Sequence, residues 1–132
     1  MSVKISSVES FKDHRADRFF DLYSHIDGQI TVSIVEPGQF SGWHSHAQQY
    51  DIFFVASGNL KIGIISPDGE VTEVILNSEK PESVFIPTGY WHCYKSGECA
   101  ATLVYYLSQK HNEEDEFRAT EEEIFEKFGY KI

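Results

Sequence analysis

The amino-acid sequence predicts an all-β domain, closed as a barrel or sandwich, with a short helix at its C-terminal end. About nine short apolar or alternating runs follow one another up to residue 107, with glycine and proline turns at regular intervals between them. No helical pattern separates these runs, which disfavours a parallel sheet with helical crossovers.

Length, composition and charge limit the kind of protein that this chain encodes. The 132 residues, 41% hydrophobic and 14% aromatic, predict one globular domain over 1–132. A formal net charge of −10 disfavours nucleic acid and anionic membranes as partners. Eight of the 21 acidic residues lie in 113–126, which predicts a solvated acidic surface there. No run has the length of a membrane span, and the polar start does not resemble a signal peptide, so we expect a cytoplasmic location.

The strands are justified by alternation and by turn residues. Residues 3–11 are expected to form an edge strand, whereas 13–25 fit either a short helix or an irregular strand. Ile30, Val32 and Ile34 alternate with polar residues before the Pro37-Gly38 turn. An apolar run from residue 52 ends at Gly58 and predicts a buried strand.

The second half of the chain continues the same pattern. Alternation over 60–64 and a run over 71–76 flank a Pro-Asp-Gly turn at 67–69, which predicts a hairpin. Runs at 83–86, 91–94 and 101–107 predict three further strands. Tyr105 and Tyr106 alternate across the last of them, so one faces the interior and the other faces outward.

The C-terminal end predicts a helix with defined limits. Thr120 and Glu123 have the spacing of a capping box, and Gly129 is placed to end the helix. Ile124, Phe125 and Phe128 form an apolar stripe. We expect this helix to pack on the outside of the barrel.

The candidate site is centred on two histidines between Gly38 and Gly58. His44 and His46 are two residues apart, so in a strand both side chains point to one face. Asp51 joins that face only if a bend or bulge intervenes between 47 and 50. Two imidazoles and a carboxylate that converge are able to bind a metal ion or to transfer protons.

Two motifs resemble those of the cupin superfamily. The first cupin motif, G-x5-H-x-H-x4-E-x6-G, is matched by Gly38, His44, His46 and Gly58, with Asp51 at the glutamate position. The second, G-x5-P-x-G-x2-H-x3-N, is matched by Pro87, Gly89 and His92, whereas Pro81 and Ser96 depart from it. The resemblance implies a cupin fold, the double-stranded β-helix or jelly-roll barrel.

A narrower resemblance covers most of the chain. The segments 42–44, 49–58 and 86–92 are similar to the dTDP-4-dehydrorhamnose 3,5-epimerases and to the dTDP-4-keto-6-deoxyglucose 3,4-ketoisomerases. The closing segment of those families, S-D-Y-Y-D-E-x-D-x-x-R, is matched in part by Ser108-Gln-Lys-His-Asn-Glu-Glu-Asp-Glu-Phe-Arg118. The resemblance implies an epimerase or keto-isomerase that acts on a nucleotide-linked 4-keto-6-deoxy sugar in polysaccharide or secondary-metabolite synthesis, as a homodimer and without a cofactor.

The resemblance also implies roles for single residues. His44 corresponds to the general base that removes a proton beside the keto group, and Tyr105 to the acid on the other face. Asp51 stands where the epimerases have a lysine, so it is expected to orient groups or share protons together with His46 and His92. The expected substrate-binding residues are Arg15, in a segment similar to the nucleotide-contacting segment of the epimerases, and Trp43, Gln49, Trp91 and His111.

Two alternatives remain open at the sequence level. Three imidazoles and one carboxylate, from His44, His46, Asp51 and His92, suit Fe(II), Mn, Ni or Zn and fit a metal-dependent dioxygenase or isomerase. An acidic residue at position 51 repels an enolate unless it is protonated or bridged by a metal ion. The missing lysine therefore also fits a non-catalytic sugar-binding cupin.

Overall fold

A computed structural model describes residues 2–23 and 27–132. Within them the chain forms short strands, one 3-10 turn at Glu113–Asp115 and one helix, α1, at Glu121–Phe128. The strands are β1 Lys4–Ser7, β2 Ser10–Lys12, β3 Asp17–Phe19, β4 Gln29–Val35, β5 Phe40–His46, β6 Asp51–Ser57, β7 Asn59–Ile65, β8 Val71–Asn77, β9 Glu82–Ile86, β10 Trp91–Ser96, β11 Ala101–Leu107 and β12 Glu116–Arg118.

Two antiparallel five-stranded sheets face each other. Their strand orders are β1-β9-β6-β11-β4 and β12-β5-β10-β7-β8, and β2 and β3 form a separate hairpin. The all-β prediction with a C-terminal helix is confirmed. A core of buried side chains fills part of the space between the sheets, and it includes Phe53, Val55, Leu60, Ile62, Ile64, Val84 and Leu103. Burial of such side chains is the dominant favourable contribution to folding.

Strand β4 has its apolar side chains on the outside. Ile30, Val32 and Ile34 are 51%, 59% and 71% exposed. Gln29 and Thr31, which alternate with them, face the interior and line a cavity. The predicted alternation at 30–34 is therefore present, and its polar side chains are the ones that face the interior.

Helix α1 covers the outer face of the second sheet. Ile124 packs with Trp43, Ile65 and Cys93 in a second buried cluster. The predicted capping box is present, because Thr120 Oγ1 accepts from the Glu123 amide at 3.1 Å while Glu123 Oε1 accepts from the Thr120 amide at 3.0 Å. Gly129 ends the helix in a left-handed conformation with φ 71°, which glycine adopts without strain.

The N-terminal segment is more broken than predicted. The expected edge strand 3–11 is two strands, β1 and β2, and only β1 pairs with the first sheet, through β9. The range 13–25 fitted either a short helix or an irregular strand, and within it the chain forms strand β3. Phe19 of this strand packs edge-on against Phe54, with 5.0 Å between ring centroids. Residues 24 and 25 of that range lie outside the described residues. Among those described, no helix is long and apolar enough to cross a membrane.

Candidate active site

The histidines are positioned by two neighbouring strands of the second sheet. His44 on β5 pairs in register with His92 on β10, and their ring centroids are 6.3 Å apart. The two strands approach each other so closely here that a Cβ on Gly42 would lie 2.3 Å from the Cβ of Cys93. Only a residue without a side chain fits at that position. His44 and His46 line the same cavity, as their spacing predicts.

A loop at 47–50 brings Asp51 to this cavity. Strand β5 ends at His46 and β6 begins at Asp51 in the other sheet, so the bend on which the prediction depended is present. The cavity between the sheets has a volume of about 320 Å³. Among the predicted site residues, those that line it are His44, His46, Gln49, Asp51, His92, Tyr105 and His111.

Asp51 and His92 form a buried pair at the base of this site. His92 Nε2 lies 3.4 Å from Asp51 Oδ2, and the two side chains are 6% and 5% exposed. Burial raises the pKa of Asp51 to about 6, although the 2.6 Å hydrogen bond from Gln49 Nε2 to Oδ1 opposes the shift. Burial, helped by His46 and His44, lowers the pKa of His92 to about 3. Both shifts favour the uncharged form of each group.

His46 is oriented by the backbone of the closing segment. Its Nδ1 lies 3.2 Å from the carbonyl oxygen of Asp115, and its ring stacks on that of His92 at 5.6 Å between centroids. A carbonyl oxygen only accepts a hydrogen bond, so Nδ1 carries the proton. In the neutral imidazole, Nε2 is then the nitrogen without a proton.

His44 is half-buried and keeps a neutral imidazole. Burial lowers the pKa of His44, and the nearby carboxylate of Glu116 partly offsets that shift. Burial is the largest single effect on the pKa of Glu116 and would raise it, but the hydrogen bond from Arg118 at 2.7 Å and the nearby charges of His44, Arg118 and His111 together outweigh burial, and the pKa is lowered. His44 therefore has a free nitrogen lone pair at neutral pH.

Tyr105 is the tyrosine that faces the interior. It lines the cavity, and its ring stands edge-on to Phe53 at 5.5 Å between centroids. Phe53 is also in edge contact with His92 at 5.8 Å, so one buried ring supports both side chains. Tyr106 points to the other side of the sheet, where its hydroxyl accepts a hydrogen bond from the Gly28 amide.

Three predicted substrate-binding residues lie elsewhere. Trp43 is 1% exposed in the cluster beneath α1, because it alternates with His44 and so points to the opposite face of β5. Trp91 packs against the same cluster for the same reason, since it precedes His92 on β10. Neither indole lines the cavity. Arg15 lies on the exposed β2–β3 connection, where it pairs with Asp13 at 3.0 Å, and it does not line the cavity.

The predicted metal ligands are brought together in part. His46, Asp51 and His92 place their ligand atoms within 4.8 Å of one another, and His44 is not a member of this group. The predicted set of four is therefore corrected to three. His44 lies on the same strand as His46, opposite Arg118 of the paired strand β12, and is influenced by the charge of Glu116.

Two acidic residues of the site were not predicted. Asp115 is 6% exposed beneath the loop at 47–49, and Glu116 lines the cavity. The interpretation of 113–126 as solvated surface is wrong for these two positions, because Asp115 accepts hydrogen bonds from the loop at 47–49 and Glu116 pairs with β5 through β12. Their positions within the closing segment 108–118 were the signal available in the sequence.

Comparisons with known proteins place this architecture in a family context. The sequence model of the family described as polysaccharide biosynthesis C-terminal domain matches residues 11–116. A curated relative, the spore coat polysaccharide biosynthesis protein SpsL of Bacillus subtilis, is 26% identical over 80% of this chain and 80% of its own length.

Solved structures share the fold. A dTDP sugar isomerase from Desulfovibrio desulfuricans has a TM-score of 0.85 and 18% identity, covering 98% of this chain and 89% of its own. A dTDP-6-deoxy-D-glucose-3,5-epimerase from Legionella pneumophila, in complex with dTDP-4-keto-L-rhamnose, has a TM-score of 0.77 and 22% identity, covering 88% and 71%. The predicted cupin fold is confirmed by these similarities.

Proposed function

The chain belongs to the polysaccharide biosynthesis C-terminal domain family, and from that premise we propose that it is an epimerase or keto-isomerase of a nucleotide-linked 4-keto-6-deoxy sugar. The reaction begins with removal of a proton from the carbon beside the keto group. Support comes from the fold shared with sugar-nucleotide epimerases and from the polysaccharide context of the family.

The observation that carries the proposal is the placement of His44 and Tyr105. His44 projects from β5 of one sheet and Tyr105 from β11 of the other, and both line the same cavity. A sugar ring held between the sheets has an imidazole on one face and a phenol on the other. That is the arrangement that inversion at a carbon requires, because the proton leaves one face and returns to the opposite one.

The chemical step follows from the protonation states. Neutral His44 takes the proton, the C–H bond breaks, and its electron pair forms an enolate with the charge on the former carbonyl oxygen. Tyr105 O–H then protonates the carbon from the other side, and the carbonyl re-forms. Keto-isomerisation uses the same enolate: protonation of its oxygen gives an enediol, the hydroxyl on the neighbouring carbon then loses its proton and becomes the new carbonyl, and the former keto carbon gains a proton. His44 and the Tyr105 phenolate regain their starting states by exchange with water.

The enolate is stabilised without the lysine of the related epimerases. The cavity offers neutral hydrogen-bond donors, among them the hydroxyls of Thr31, Ser41 and Tyr94. Donors fixed around a developing oxyanion lower the barrier, since they need no reorganisation during the reaction. Gln49 donates to Asp51 at 2.6 Å and so reduces the repulsion that this carboxylate exerts on the enolate.

Solvent deuterium exchange tests the proposal. In D₂O, the wild-type protein should incorporate deuterium into dTDP-4-keto-6-deoxyglucose beside the keto group, as measured by NMR and mass spectrometry. His44→Asn should abolish exchange, because it removes the base while it keeps a similar polar side chain. The matched control is His14→Asn, a histidine on the exposed N-terminal connection. Wild-type exchange in His44→Asn would refute the assignment.

A second candidate function is supported by the group of His46, Asp51 and His92. Two imidazoles and a carboxylate are a ligand set that Fe(II), Mn, Ni and Zn accept. The residues fit a metal ion, because the Asp115 carbonyl holds His46 Nδ1 and leaves Nε2 as the coordinating nitrogen. A bound ion would polarise the substrate carbonyl and offset the charge of Asp51.

Metal analysis separates the two candidates. Protein purified without chelator is analysed for metal content, alongside His46→Ala. Stoichiometric metal that disappears in the variant, together with loss of activity on chelation, favours the metalloenzyme. Deuterium exchange that continues in metal-free protein favours the first proposal.

A further inference from the structure

The loop between β5 and β6 connects two site residues and has no sheet partners of its own. The amides of Ala47, Gln48 and Gln49 lie outside the strand ladders. Gln49 is 2% exposed, so its amide cannot be satisfied by bulk water. A buried amide without an acceptor costs about 1–3 kcal/mol, so this loop needs an acceptor from elsewhere in the chain.

The carboxylate of Asp115 supplies those acceptors. Its Oδ1 accepts from the Ala47 and Gln48 amides, both at 3.0 Å, and its Oδ2 accepts from the Gln49 amide at 3.1 Å. Oδ2 also lies 3.2 Å from the Gln48 amide and accepts from Gln109 Nε2 at 3.3 Å. Each carboxylate oxygen is engaged, and the side chain is 6% exposed. One side chain thus accepts hydrogen bonds from three successive backbone amides.

The same residue also acts through its backbone. The Asp115 carbonyl accepts from His46 Nδ1 at 3.2 Å, immediately before the loop. On the other side of the loop, Gln49 donates to Asp51. Asp115 therefore holds the segment from which both the His46 ring and the Asp51 partner project.

We propose that Asp115 is the positioning residue of this site, whose carboxylate fixes the 47–49 loop and whose carbonyl fixes the tautomer of His46. Its effect on turnover rests on the proposed function, whereas its effect on the loop and on His46 does not. Asp115 has no contact with the cavity itself, so it acts on the reaction only through His46, Gln49 and Asp51.

Kinetic measurements test the role in turnover. Asp115→Asn keeps the side-chain shape. Its NH₂ group, however, directs a hydrogen-bond donor at the backbone amides from which Oδ2 accepts hydrogen bonds in the wild type. We expect kcat to fall by about 100-fold, the loss typical of a catalytic group displaced by about 1 Å, with little change in KM. The matched control is Glu113→Ala, an exposed acid of the same 3-10 turn, which should keep wild-type kinetics. Wild-type kcat in Asp115→Asn would overturn the positioning role.

NMR measurements test the structural role without any turnover. In wild type, the amides of 47–49 should be protected from hydrogen exchange, and His46 should be in the Nδ1–H tautomer by long-range ¹H–¹⁵N spectra. Loop protection should be lost in Asp115→Asn while the sheet amides stay protected, whereas the His46 tautomer should persist, because the substitution keeps the backbone carbonyl. Asp115→Ala, which removes the carboxylate but likewise keeps the carbonyl, should give the same result. Unchanged loop protection in both variants would overturn the proposal. If the wild-type protein shows no deuterium exchange into substrate, the proposed function fails, and these spectra still decide the role of Asp115.

Discussion

His44 shows how a single side chain acquires its role from its surroundings. Burial disfavours the imidazolium, whereas the carboxylate of Glu116 favours it, and burial is the larger effect. The pKa of His44 is therefore lowered, and the ring is neutral at pH 7. A neutral imidazole next to a bound keto sugar is able to accept a proton, which an imidazolium is not.

Tyr105 gives the sharpest prediction at the scale of a residue. Tyr105→Phe removes the proposed acid but leaves His44, so we expect proton removal to continue and the proton to return from the same face. We expect deuterium to enter the substrate while the inverted product is lost, as measured by NMR of the sugar. Phe53 still packs against the new ring, so the cavity keeps its shape.

The neighbouring tyrosine is the matched control for that experiment. Tyr106→Phe removes a hydroxyl on the other side of the sheet and should keep inversion. It costs about 1 kcal/mol of stability, because the Gly28 amide loses its acceptor. Equal loss of inversion in both variants would contradict the role of Tyr105.

Helix α1 is an element whose stability is separable from the site. It packs on Trp43 and Ile65, on the face of the sheet opposite to His44. Its first turn depends on the capping box of Thr120 and Glu123, which satisfies two amides that the helix itself leaves unpaired.

Removal of the cap is predicted to affect stability alone. Thr120→Ala should lower the free energy of unfolding by about 1 kcal/mol, as measured by urea denaturation, with deuterium exchange unchanged. Glu122 is an exposed residue in the same turn, and Glu122→Ala is the control. It should lower the free energy of unfolding by only a few tenths of that amount. An equal loss in the two variants would show that the cap makes no specific contribution.

At the scale of the whole molecule, the two cysteines differ in how deeply they are buried. Cys93 is 1% exposed between β5, β7 and the helix, and burial raises the pKa of its thiol to about 12. Cys99 is exposed on the connection between β10 and β11. A thiol reacts as the thiolate, so the two side chains should differ strongly in reactivity.

Thiol labelling is therefore a probe of global opening. At pH 8, an alkylating reagent should modify one thiol in the native protein and two in urea, as counted by mass spectrometry. Cys99→Ser should leave the native protein unmodified. Rapid modification of Cys93 in that variant would contradict its burial in the packed second cluster.

The sequence alone determined the features that depend on neighbours along the chain. Alternation set the strands, the capping box and Gly129 set the limits of α1, and the two-residue spacing placed His44 and His46 on one face. These follow from local backbone geometry, which a linear pattern records directly.

The tertiary structure decided which face of each strand is the inner one and what meets there. Alternation in β4 and β11 reads the same whichever side is buried, so it could not say that Gln29 and Thr31 point inward or that Tyr105 does. Nor could it say that Trp43 and Trp91 pack beneath a helix, or that Asp115 closes a loop 66 to 68 residues earlier in the chain. Those contacts exist only after the two sheets have closed on each other, because they join residues that the sequence keeps far apart.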